Sequence, residues 1–144
     1  MKLAKALKVK NQLVGEIAKL RGLIEENNVR LNNNYSGFDV LALDREYVTK
    51  LTQLTELKAR IARANADIWD AIFLLVELKG RTAFLRTLNT KSGTFKEGAY
   101  GNILDNQYTP ALTDVAINKE ITMLETQIAA LQDRIDEFNH QTDI

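Results

Sequence analysis

Near the carboxyl end of the chain, Ile117, Ile121, Leu124, Ile128, Leu131, Ile135 and Phe138 recur at alternating steps of four and three. That spacing is a heptad seam, with Ile121, Ile128 and Ile135 at the a positions and Leu124, Leu131 and Phe138 at the d positions, so the apolar side chains form one stripe along a helix. Left in water, seven such side chains would forgo on the order of 10 to 20 kcal/mol of gross burial energy. The stripe therefore demands another helix, from the same chain or from a second copy, and it points to a fold of helices packed on helices.

Three more helices follow from the remaining periodicity. Leu3, Leu7, Val14, Ile17, Leu20 and Ile24, widened by Leu13 and Leu23, predict a first helix over 3–28. Lys10 and Arg21 interrupt a strict seam, which marks a bundle helix more than a zipper strand. Asn32-Asn33-Asn34-Tyr35-Ser36-Gly37 reads as a loop. Ser36 with Asp39 three residues on can cap a second helix over 39–65, lined by Leu43, Tyr47, Leu51, Leu54, Leu57, Ile61 and Ala64. Asp67 can cap a third over 68–88, with Asp70 complementing the dipole in its first turn. Asn65-Ala66-Asp67 is then a tight corner; since no glycine or proline intervenes, a kinked continuous rod is the alternative.

The third helix places Ile68, Trp69, Ile72, Phe73, Leu75, Val76 and Leu78 before Gly80, then Ala83, Phe84, Leu85 and Leu88. Its first half is apolar nearly all round, as in helices central to a core or buried at a subunit contact. Residues 89–109, with Gly93, Gly98 and Gly101 and bounded by Pro110, read as one long connection: a short hairpin, a packed Ω-loop or a binding element. A fourth helix over 113–139 carries the seam, with Thr109, Thr113 or Asp114 as its cap. The expectation is a single domain over 1–144, all-α, a bundle of about four long antiparallel helices with coiled-coil-like packing and one long loop. Residues 1–30 hold seven Lys or Arg against three Asp or Glu, and residues 113–144 two against seven, so the first and last helices are expected to lie side by side.

Composition closes off several kinds of chemistry. Lys plus Arg and Asp plus Glu both total 19, so no global field favours nucleic acid or an anionic membrane. The absence of cysteine removes disulfides, thiolate catalysis and cysteine metal sites, and fits a reducing compartment. The basic start, Met1 to Lys8, is not followed by the apolar core of a secretory signal, and the apolar run 71–76 is far shorter than the roughly 20 residues needed to cross a bilayer. A cytoplasmic protein is expected, and Asn34-Tyr35-Ser36 is then a chance match to a glycosylation acceptor.

The only histidine is His140, at an end expected to fray, so neither the Glu-x-x-His pairs of a di-iron bundle nor a Ser-His-Asp triad can be assembled. The glycines of 89–109 match neither a phosphate-cradling loop nor a dinucleotide fingerprint. Asp133 with Glu137, and Glu25 with Glu26, read as solvated charge on outward helix faces. No catalytic, cofactor-binding or metal-binding residue is assigned. Lys2, Lys5, Lys8, Lys10 and Lys19 offer phosphate contacts, although no aromatic residue interleaves with them. Tyr100 and Tyr108, helped by Lys96, are candidates either to anchor a partner or to pin the long connection to the core.

The opening Met1-Lys2-Leu3-Ala4 with Ala6-Leu7, Arg60-Ile61 ahead of Asn65, Asp114-Val115-Ala116, and the closing Asn139, Thr142 and Ile144 together resemble an uncharacterised family of small bacterial all-helical proteins, some members of which carry the label septicolysin. These are short marks spread over most of the chain. Family members have a longer loop where this chain has only Ala66, and an aromatic residue where it has His140. The resemblance implies a helical bundle and carries over no catalytic residues; its cytolysin label implies membrane damage. Three readings result. The first is a non-enzymatic bundle forming a homo-oligomer, or holding a protein partner, through coiled-coil surfaces. The second is nucleic-acid binding through the basic first helix. The third is a membrane-active peripheral protein using the helix around Trp69 and Phe73.

Overall fold

The computed structural model describes residues 1–144 and divides into two compact units, Met1–Trp69 with Asp136–Ile144, and Asp70–Ile135. In the first unit, α1 (Leu3–Asn27) and α2 (Val40–Ala64) are joined through a short 3-10 turn at Leu31–Asn33. Asn32 and Asn33 take φ values of 53° and 57°, a left-handed conformation that asparagine tolerates better than most residues. The chain enters α2 through Asp39, whose carboxylate accepts the Ala42 N–H at 3.1 Å. The cap is therefore Asp39 itself, where Ser36 was expected to share the task.

The apolar periodicity of both helices converges on one core. Leu3, Ala6, Leu13 and Ile17 pack with Leu54, Leu57 and Ile61, while Tyr47, Phe138 and Ile144 cover the margins. The first helix thus takes α2 as a neighbour, and Glu16 bonds across to Lys50 at 2.7 Å. Carboxyl-end residues close this unit through an antiparallel bridge between Lys2 and Asp143. There Leu3 N–H donates to the Thr142 carbonyl and Ile144 N–H to the Met1 carbonyl, each at 2.8 Å, and the Lys2 ammonium meets Asp143 at 2.7 Å. Leu3 is wholly buried at the root of this clasp.

After α2, Asn65–Asp67 form a 3-10 turn, and Ile68, at φ −127° and ψ 0°, leaves helical geometry before α3 (Trp69–Thr87) begins. Asp67, expected as a cap, is spent inside the turn. In the second unit α3 packs on α4 (Asp114–Gln141, whose last residues belong to the first unit) through Leu78, Leu85 and Leu88 against Ile117, Ile121 and Leu124. Ion pairs flank this contact, Arg81 with Glu120 at 3.2 Å and Arg86 with Glu125 at 2.5 Å. Thr113 caps α4, its hydroxyl accepting the Ala116 N–H at 3.2 Å.

The connection between α3 and α4 overturns the expected bundle of four long helices and one long loop. It forms a two-stranded antiparallel sheet, β1 (Gly93–Ala99) and β2 (Asn102–Tyr108), in register from Gly93 opposite Tyr108 to Ala99 opposite Asn102. Tyr100 and Gly101 make the turn with φ values of 56° and 82°, the paired left-handed geometry whose twist suits a two-residue hairpin. At Gly98, φ is 143° and a Cβ would overlap the Asn102 carbonyl oxygen, so glycine is required there.

Leu57 stands in the first core at 7% exposure. Leu57→Ala should lower the free energy of unfolding by about 2–5 kcal/mol in chemical denaturation. A loss below about 1 kcal/mol would show that this core is not a packed one.

Candidate functional site

At 100° per residue, the buried residues of α3, namely Ala71, Leu75, Thr82 and Leu85, fall on one side of the helix. Val76 and Phe84 fall on the opposite side and are 60% and 51% exposed. An ordinary amphipathic helix would carry charge there; between these two positions the only charged residue on that face is Glu77. Phe73 extends the same stripe toward the start of the helix. So α3 is apolar on two opposed sides, and its own chain covers one of them.

On another side of α3, beyond Glu77 and Arg81, α3 and α4 leave a groove of about 560 Å³ lined by Leu74, Leu78, Gln127, Ala130, Leu131 and Arg134. Arg134 reaches Asp70 at 3.5 Å along its rim. Met123, 60% exposed, lies one helical turn from Gln127 and prolongs the apolar surface. The α4 seam itself is covered: Ile117, Leu124 and Ile135 are buried, and Ile121, Ile128, Leu131 and Phe138 half-buried. The unsatisfied apolar area thus belongs to α3 and the flank of α4, and the heptad stripe supplies little of it.

None of the residues singled out for chemistry lines this groove. His140 is exposed with Nδ1 2.7 Å from the Asp136 carbonyl, and Asp133, Glu137, Glu25 and Glu26 are exposed on their helices. No three acidic, histidine or cysteine side chains gather as a metal site would require. Among the α1 lysines, Lys2 is engaged by Asp143 and by the Gln141 carbonyl at 3.0 Å, while Lys5, Lys8 and Lys19 are exposed. No helix is long and apolar enough to cross a membrane.

The two tyrosines of the connection part company. Tyr100 stands at the hairpin tip, fully exposed, while Tyr108 is half-buried and donates its hydroxyl to Glu97 at 2.6 Å. Glu97 also accepts from Lys91 at 2.8 Å and Asn106 at 3.2 Å. The Lys91 ammonium lies 4.4 Å from the centre of the Phe95 ring and 4.1 Å from that of Tyr108, and the two rings meet edge to face at 5.9 Å. Sequence reasoning did not foresee this cluster. Its signal was the period-two placing of Phe95 and Glu97 on one strand face, hidden by the unusual Tyr-Gly turn.

No family model, curated protein or solved structure matches this chain. Its surface must speak for itself.

The Lys91, Tyr108 and Asn106 hydrogen bonds hold the Glu97 carboxyl down from 4.5 to about 2. Because the folded group titrates below the unfolded one, these bonds add their stability in full above about pH 4.5 and lose it as pH falls toward 2. The protection of the hairpin amides, their exchange measured against the intrinsic rate at each pH, should fall across that window, and Glu97→Gln should flatten the dependence. Equal acid sensitivity in the variant would assign the effect to other carboxylates.

Proposed function

We propose that this protein is a non-catalytic assembly module that self-associates through the outward apolar face of α3. The observation that carries this reading is the double-sided character of α3. Val76 and Phe84 are each about half exposed or more and share one face of that helix. Scattered single hydrophobics on a surface need no explanation, whereas a helix face that repeats them turn after turn marks an interaction surface. Homo-oligomers with a two-fold axis are the commonest way soluble chains close such a face.

Several charged residues pair with one another inside the chain. Glu16 with Lys50, Arg81 with Glu120, Lys91 with Glu97 and Lys2 with Asp143 are matched pairs within the chain. Association driven from the apolar face should therefore depend little on salt. A nucleic-acid complex through the first helix would instead weaken steeply as salt rises.

Light scattering or sedimentation should give a mass above one chain that falls on dilution. The double variant Val76→Glu, Phe84→Glu should shift the protein to single chains while circular dichroism stays unchanged, since both positions face water in the isolated chain. A mass of one chain at every concentration would end the proposal.

A further inference from the structure

We infer that the groove between α3 and α4 binds a small amphiphile with an anionic head, a medium-chain carboxylate, its chain on the apolar floor and its head at Arg134. The groove lies within the second unit, on a side of α3 other than the outward stripe, so this inference does not depend on self-association. Four of its six lining residues, Leu74, Leu78, Ala130 and Leu131, are apolar. Along α4, Gln127, Ala130, Leu131 and Arg134 follow at i, i+3, i+4 and i+7, so they share one helix face over two turns, about 10 Å. Leu74 and Leu78 stand one turn apart on the α3 wall, and the small side chain of Ala130 leaves the opposite wall open. A groove of about 560 Å³ falls in the range that takes small ligands, roughly 300 to 1,000 Å³, where apolar walls bind and a few polar groups orient.

The charges give the occupant its sign and its direction. Arg134 is the one charged residue in the lining, and Asp70 is not part of it. The two meet through a single contact at 3.5 Å, with side chains 53% and 72% exposed, where an ion pair holds weakly. A guanidinium carries five donors in a fork that fits a carboxylate at two points, so Arg134 has donors left for an acid seated in the groove. At the other end, one turn beyond Leu78, Arg81 is already held at two points by Glu120, each at 3.2 Å. That end therefore offers no spare cation, and an apolar tail needs none. A cationic head would meet Arg134 as a like charge, and a neutral one would leave the charge unused.

Decanoate titrated into the native chain by calorimetry, below the concentration at which it forms micelles, should bind at a single site with a negative heat-capacity change. Arg134→Gln should weaken decanoate about 10-fold and change decanol less than about 2-fold, because only the acid uses the charge. Asp70→Asn, which removes the competing carboxylate, should tighten decanoate about 2- to 5-fold. Ala130 is exposed, so Ala130→Trp should keep its circular dichroism while it fills the groove and abolishes binding of both probes. Absence of decanoate binding, or an affinity unchanged in Arg134→Gln or in Ala130→Trp, overturns the proposal. The double variant Val76→Glu, Phe84→Glu should bind decanoate as the native chain does. Loss of binding there would move the ligand to the outward face of α3 and overturn the proposal as well, whereas self-association is decided by the mass of the native chain alone.

Discussion

Removing apolar area from water is the one large favourable contribution open to a chain with no disulfide, and α3 carries more of that area than α4 covers. Leu75, Thr82 and Leu85 are buried on one side while Val76 and Phe84 stand in water on the other. Neither side can be turned inward without exposing the opposite one, since residues half a helical turn apart cannot share a neighbour. The α4 seam meets no such conflict, because its apolar residues occupy one stripe, with Ile117, Leu124 and Ile135 buried and the others half-buried. The same physical rule that settles α4 thus leaves α3 half satisfied.

The two units reach stability by different means. In the first, two 25-residue helices share a continuous aliphatic core, and the backbone bonds between Met1–Leu3 and Thr142–Ile144 fasten its margin. In the second, the helical contact is shorter and the hairpin stands almost wholly in water. A lone two-stranded ribbon is marginal in water. Here Lys91, Phe95, Glu97, Asn106 and Tyr108 bind the strands to each other and to the chain leading into them, a polar and aromatic staple in place of a buried face.

Helical content was legible because α1, α2 and α4 each repeat their apolar residues over many turns, and a long repeat is hard to imitate by chance. The break at Asn65–Asp67 was readable, although a kinked rod stood beside it, since Ala66 favours helix and the deciding event is Ile68 leaving helical geometry. The hairpin was one of three possibilities for residues 89–109. Its turn is Tyr100-Gly101, where the left-handed tyrosine lacks the asparagine or aspartate that usually announces such a turn. For α3, the apolar run around 71–76 signalled burial without saying by what, because composition does not reveal how many sides a neighbour will cover. Gly80 carried no readable meaning in sequence, where it resembled a weakness in a helix.

The hairpin presents the rival surface, since Ile103, Leu104 and Tyr100 are exposed and both strand edges are unpaired. An open edge invites another strand, and proteins deter this with charge and irregular backbone. Both deterrents are present: Lys96 stands opposite Asp105 at the middle of the ribbon, and Gly98 is held at φ 143°. A second ribbon laid edge to edge by a two-fold axis centred on these residues would bring Lys96 to Lys96 or Asp105 to Asp105, and like charges directly opposite are destabilising. The charge pattern therefore opposes self-pairing along the ribbon edge, where the backbone would allow it.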